Sequence, residues 1–195
     1  IKLLGIARRQ AAGIELRTHP TLVPMRRLIA NVEGAMNAVM VQGDAVGTTM
    51  YYGKGAGSEP TASAVVADLV DIARLIDAPA ASRVPALAFQ PDAMSTLPIL
   101  PIEEVVTSFY IRLRVADQTG VLAKITGILA EQNISIDAVI QREADEVSGE
   151  NGNQTDLILL THDTKEGAMN KALAAMQALP TVLAPIVRLR KEELA

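Results

Sequence analysis

The chain has 195 residues, 49% of them apolar and 3% aromatic, with a formal net charge of -4 and no cysteine. That composition supports an aliphatic core. It argues against nucleic-acid binding, which needs clustered Lys and Arg, and it excludes disulfides, thiolate metal sites and a cysteine nucleophile. No apolar run reaches the ~18 residues of a membrane span, and the opening residues lack the layout of a signal peptide, so a cytoplasmic protein is expected.

Ile1–Arg8 and Ile14–Thr18 read as strands around a turn at Gln10–Gly13. The chain opens on Ile with residues typical of a strand interior, so it is expected to begin mid-fold, with sequence missing upstream. Ala35–Gln42 and Thr48–Tyr52 form a second strand pair around Gly43–Gly47. After Gly53-Lys54-Gly55-Ala56-Gly57 a helix follows, with Ser58 or Glu59 near the cap and Pro60 in its first turn. Ala62, Val65, Val66, Leu69, Ala73 and Ile76 share one face of it. Met36, Met40 and Met50 fall at alternating strand positions and read as core or interface filling. Pro79, Pro85, Pro91, Pro98 and Pro101 make residues 77–103 a linker, with room for one short element around Val84–Phe89.

Ser108–Val115 alternates as a strand, and Asp117-Gln118-Thr119-Gly120 turns it into a helix carrying Val121, Leu122, Ile125, Ile128 and Leu129. Asn133 tolerates the left-handed conformation that ends such a helix. Ile134–Gln141 is a strand, Glu143–Gln154 a polar hairpin loop and Asp156–Thr161 a strand. Lys165–Ala178 is a helix with Ala168, Ala172, Ala175 and Leu179 on one face, stopped by Pro180, and Val182–Leu189 is the last strand. The expected class is α+β: a mostly antiparallel sheet with a covering helix over residues 1–76, the linker 77–103, and a ferredoxin-like βαββαβ unit over 104–192. Small sheets of this kind bury their open face or edge by pairing, so a homodimer or homotetramer is expected.

Two turns could carry chemistry. The Gly53–Gly57 run follows a strand and opens a helix, where backbone N–H groups favour an anion. Its spacing is G-x-G-x-G, not G-x-G-x-x-G, and no second parallel strand with an acidic end follows. It reads equally as a tight strand-to-helix turn. The Asp117–Leu122 segment offers free N–H groups that could hold a carboxylate, or it too is an ordinary turn. His19 and His162 are the only histidines, with no carboxylate pair at ligand spacing, so no metal site is expected. His162 is expected to face solvent. Asp68/Asp71 and Glu103/Glu104 read as solvated faces.

Tyr51–Leu69, with its core Tyr52-Gly53-Lys54-Gly55-Ala56-Gly57-Ser58-Glu59-Pro60-Thr61, resembles the glycine-loop-and-helix segment of homoserine dehydrogenases. Ile1–Ala7, His19–Pro24 and Asn31–Ala38 resemble the same family, and residues 106–190 resemble an ACT domain, in the order such enzymes carry them. The resemblance implies reduction of L-aspartate 4-semialdehyde to L-homoserine with NADH or NADPH, a step toward threonine, isoleucine and methionine. It implies a cofactor-closing role for Gly57, with Gly55 and Thr61 beside it. It also implies an amino-acid effector, threonine as end product, at an interface between ACT units near Asp117, Gly120, Val121 and Leu122 and the facing Asn133 and Ile134. The family's Rossmann glycines, catalytic lysine and acidic substrate-binding residues are expected upstream of Ile1, so no catalytic residue is assigned in this chain and the chain alone is expected to be inactive. The alternatives are a non-catalytic amino-acid sensor on a dimerisation scaffold, or an assembly piece without a ligand.

Overall fold

The structure, a computed structural model, describes residues 1–79, 83, 89, 91–141 and 153–194. The element expected around Val84–Phe89 and nearly all of the Glu143–Gln154 loop lie outside the described residues. The chain divides into two compact units, residues 1–24 with 97–194, and residues 25–96.

In the first unit, β1 (Lys2–Gln10) and β2 (Gly13–Leu22) form an antiparallel hairpin. The βαββαβ unit comprises β5 (Val106–Ala116), α2 (Val121–Glu131), β6 (Ile136–Gln141), β7 (Gln154–Thr161), the two-residue β8 (Thr164–Lys165), α3 (Glu166–Gln177) and β9 (Val187–Lys191). The sheet runs β1-β2-β9-β5-β7-β6, with β8 paired to the start of β5. Antiparallel pairing of β5 with β7 and β9, and of β6 with β7, gives β5 and β7 a hydrogen-bonded partner along both edges.

The core lies between the sheet and the two helices. Phe109, Ile111, Leu113 and Val115 alternate down β5, and Leu157 and Leu159 do so on β7. Val121, Ile125 and Leu129 recur at helical spacing on α2. On α3 the buried stripe is Met169, Ala172 and Met176, with the expected Ala168 and Leu179 packed against the core beside it, while Ala175 is exposed. The long, unbranched methionines reach the core from a helix whose alanines are too short to fill the gap.

The last strand begins at Val187, later than the expected Val182. Val182 makes only an isolated bridge to Val115, and Leu183 N–H donates to the Arg114 carbonyl at 2.8 Å. The intervening turn is held by Gln177, whose side chain donates to the Ala184 carbonyl at 3.2 Å and accepts from the Ile186 N–H at 2.9 Å. Pro185 has no N–H to offer a ladder, so regular pairing resumes beyond it.

Residues 1–24, grouped by sequence with the following segment, add their hairpin to the edge of the βαββαβ sheet. Thr21 and Leu22 pair in parallel with Arg190 and Lys191 of β9. The end of the linker is held there too: Ile14 N–H donates to the Pro98 carbonyl at 2.8 Å and Leu100 N–H to the Ile14 carbonyl at 2.9 Å. Backbone pairing, which local pattern does not encode, decides this grouping.

The second unit holds the hairpin β3 (Met36–Gly43) and β4 (Gly47–Lys54), in which Met40 stands opposite Met50. It also holds α1 (Ser58–Leu75). The sequence pattern casts α1 as a covering helix. None of its residues is buried, and Val65, Leu69 and Ile76 are 54%, 59% and 65% exposed. A two-stranded hairpin presents too narrow a face to cover an 18-residue amphipathic helix.

Candidate cofactor loop, effector turn and buried seam

The glycine loop is built by the end of β4 and the start of α1. Gly57 is the N-cap of α1, at φ 131 and ψ 154, a backbone region that L side chains rarely adopt. Its carbonyl accepts the Thr61 N–H at 3.1 Å, and no side chain caps the helix. A Cβ on Gly55 would lie 2.3 Å from Nδ2 of Asn37 on β3, so any larger residue there would have to displace the Asn37 side chain. Gly55, Gly57 and Thr61 are all exposed. The structure therefore brings the three predicted residues together around an uncapped helix start, where the first N–H groups stay available to a ligand.

The Asp117–Gly120 turn joins β5 to α2. Ala116 N–H donates to the Thr181 carbonyl at 2.9 Å, Asp117 N–H to the Asn153 carbonyl at 2.9 Å, and Gln118 N–H back to the Ala116 carbonyl at 3.0 Å. Gly120 then takes φ 84, the left-handed conformation, as the N-cap of α2. Nothing lies within 4 Å of where its Cβ would be, so backbone conformation alone selects glycine here. No side chain caps α2. An open depression of about 70 Å³ lies over the turn, lined by Asp117, Gln118, Gly120 and Leu122, with Gln141 and Thr155 across from them. An acidic side chain and uncapped helix N–H groups thus share one concavity. That is the donor–acceptor pair a zwitterionic amino acid requires: an acceptor for its ammonium and N–H donors for its carboxylate.

Asn133 and Ile134 do not line this depression. They end α2, about 16 Å away along a helix of this length. Asn133 has φ 56; its N–H donates to the Ala130 carbonyl at 2.9 Å, and Ile134 N–H donates to the Leu129 carbonyl at 2.9 Å. This is a Schellman cap, and Ile134 is buried in the same core cluster as Leu129. Their geometry is that of helix termination.

A third cluster was not singled out from sequence. β2 buries its polar face: Glu15, Arg17, His19 and Thr21 are inside while Leu16, Thr18 and Pro20 are exposed. The Arg17 guanidinium uses all three nitrogens. Nε donates to Glu15 at 2.6 Å, Nη1 to His19 Nε2 at 2.9 Å and Nη2 to Glu192 Oε1 at 2.5 Å. Glu192 also accepts from Thr107 Oγ1 at 3.2 Å and from Arg8 at 3.4 Å. Since Arg17 can only donate, His19 Nε2 accepts, and its proton sits on Nδ1, facing the Pro20 carbonyl and Thr21 Oγ1 at 3.2 and 3.0 Å. Burial holds the His19 pKa below its ordinary value; the Pro20 carbonyl opposes this and the Arg190 and Arg17 charges reinforce it. The signal in sequence was the Glu-x-Arg-x-His-x-Thr alternation itself, a strand whose polar positions keep one phase. A second ion cluster ties β9 to α3. Glu166, 1% exposed, receives Arg190 through Nε at 2.8 Å and Nη2 at 2.5 Å, and Arg188 at 2.9 Å.

His162 is exposed. Among the described residues no group of three or more His, Cys, Asp or Glu is placed to hold a metal ion, and no helix is long and apolar enough to cross a membrane.

The βαββαβ order, the strand sequence β9-β5-β7-β6 and the glycine-opened turn define a ferredoxin-like module. Residues 109–179 match the family model of the ACT domain. Residues 1–70 match that of homoserine dehydrogenase. Along its length the chain matches the C-terminal, ACT-bearing part of homoserine dehydrogenases. It is 55% identical over its whole length to the homoserine dehydrogenase of Pseudomonas aeruginosa and 50% identical to that of Neisseria gonorrhoeae, covering 44% and 43% of those proteins. The crystal structure of a homoserine dehydrogenase from Thiobacillus denitrificans superposes with a TM-score of 0.87 at 60% identity, over 100% of this chain and 42% of that one. The chain thus spans less than half the length of the relatives it matches.

Proposed function

We propose that this chain serves a homoserine dehydrogenase that reduces L-aspartate 4-semialdehyde to L-homoserine with NADH or NADPH, and that its ACT segment regulates that enzyme by binding an amino acid, threonine. The observation that carries the reading is identity of 50% or more to homoserine dehydrogenases along the entire chain, glycine loop and effector turn included. When bound, the nicotinamide supplies the hydride. This chain's part is positional: Gly57, with Gly55 and Thr61, lets backbone close on the cofactor where a side chain would intrude. The exposed loop and uncapped α1 N-terminus fit that role.

At the Asp117–Leu122 turn, Asp117 receives the ammonium and the Leu122 N–H, in the first turn of α2, the carboxylate. The depression on one chain is shallow, which supports completion of the site by a second ACT unit in a homodimer or homotetramer. Asn133 and Ile134 of one copy would then meet the effector held by another. Regulation needs such a site to bind differently in two states of the enzyme.

Isothermal calorimetry of the chain with L-threonine tests this. Saturable heat that Asp117→Ala reduces at least tenfold in affinity is expected. No heat with threonine, isoleucine, methionine, lysine or homoserine would leave the ACT segment a structural element. The chain by itself is expected to show no homoserine oxidation with NAD or NADP.

A further inference from the structure

The homoserine dehydrogenase match covers residues 1–70, yet its first hairpin, β1–β2, is a part of the ACT sheet. The backbone junction is thin. β2 and β9 share only the pairs Thr21–Arg190 and Leu22–Lys191, followed by the Glu192 N–H donating to the Leu22 carbonyl at 3.0 Å. What seals it is charge. Glu192, 6% exposed, is the hub that joins Arg17 and Arg8 of the hairpin to Thr107 of β5. β5 is a single strand with this hub at one end and the effector turn at the other, about 33 Å away at the usual rise per residue. Its inward face is fully packed between.

We propose that Glu192 is a positioning residue whose contacts with Arg17 and Thr107 couple effector occupancy at the Asp117–Leu122 turn to the β1–β2 hairpin, and through the hairpin to the dehydrogenase domain. The element with two arrangements is the β2–β9 seam, either sealed by the Arg17–Glu192 pair or parted at its two ladder rungs. A buried pair favours discrete states, because a half-broken arrangement leaves an unpaired charge away from water. A seam held by one carboxylate therefore responds as a switch to a small displacement of β5. A wide hydrophobic interface would not.

The inference rests on the reading that threonine is the effector, and the experiment separates the two. The full-length dehydrogenase carrying this chain is assayed for homoserine oxidation with and without saturating L-threonine, in wild type, Glu192→Gln, Arg8→Gln and Glu166→Gln. Glu192→Gln keeps the side chain's volume and removes its charge. It should leave basal kcat and KM within twofold and calorimetric threonine affinity little changed, while the threonine effect, several-fold to about a hundredfold in typical allosteric coupling, falls below twofold. Arg8→Gln removes the outer contact to the hub, along with a longer 3.9 Å ion pair to Glu15 inside the hairpin, and should lose part of the effect, which decides the matter if Glu192→Gln does not fold. Glu166→Gln loosens the α3 anchor of the rung residue Arg190 while leaving the Arg17–Glu192 pair untouched, and should stay responsive. Equal responsiveness of wild type, Glu192→Gln and Arg8→Gln overturns the coupling while leaving the effector reading intact. Parallel loss in Glu166→Gln also overturns it, as general loosening. A wild type insensitive to threonine sinks the effector reading and the coupling with it.

Discussion

Replacing Glu166 with alanine should cost about 3 kcal/mol of the stability of the ACT-containing unit. Glu166 opens α3 and is 1% exposed, yet it holds two arginines from β9, Arg190 through two hydrogen bonds and Arg188 through an ion pair. A charge-assisted hydrogen bond contributes about 1.5–3 kcal/mol, and truncating one partner of a buried pair costs about 3–5 kcal/mol. The arginine side chains are 14% and 27% exposed, so water recovers part of the loss and the low end applies. Arg188 also keeps its hydrogen bond to Asn170 and its place 5.8 Å from the Phe109 ring centre. A loss of about 3 kcal/mol lowers the folding constant roughly a hundredfold. Urea unfolding of the chain, followed by exchange of the β5 and α3 amides, reads it directly. Lys165→Ala is the control, since its ion pair with Glu104 is exposed on both sides and should contribute under about 1 kcal/mol. Equal effects of the two substitutions would refute the view that Glu166 fastens β9 to the helix layer.

Two further outcomes follow from the same structure. His19 has a folded pKa below its unfolded value of about 6.5; on acidification from there, the unfolded chain takes up a proton the folded chain refuses, so stability is full above that pH and declines as pH falls toward the folded pKa. Unfolding free energies between pH 7.5 and 5.5 should therefore fall in wild type and flatten in His19→Gln; parallel slopes would contradict the neutral Nδ1–H assignment. Gly120→Ala forces a Cβ into the left-handed region and should destabilise the unit by about 1–2 kcal/mol with no steric clash; thermal unfolding checks it, and an unchanged or raised Tm would show that the turn relaxes freely.

Sequence periodicity was a good guide wherever apolar residues faced the core. The alternation of Phe109, Ile111, Leu113 and Val115 and the helical spacing of Val121, Ile125 and Leu129 placed β5 and α2 within two residues of their observed bounds. Asn133 was legible as a helix terminus because few residues other than glycine take that conformation. The hairpin's allegiance to the ACT sheet was not legible. It depends on two rungs between strands more than 160 residues apart and on Glu192, which lies past the last strand. β2 inverts the usual rule by burying Glu15, Arg17 and His19, so an apolar-in pattern search passes over it. On α3 the alanine spacing found Ala168, Ala172 and Leu179 at the core but missed Met169 and Met176, because it marks a helix face without saying which residues carry the volume. At the two candidate sites the glycines were legible through their positions between strand and helix. The concavity over Asp117 was not, since Gln141 and Thr155 reach it from β6 and β7.

The central claim is that the Asp117–Leu122 turn is where the ACT segment receives an amino acid. Titration of the ¹⁵N-labelled chain with L-threonine, followed amide by amide, tests it most directly. The account predicts saturable shifts at Gly120, Val121 and Leu122 that vanish in Asp117→Ala. Shifts confined to the opposite sheet face around Arg112 and Val187, or none at the turn at saturating threonine, would contradict it.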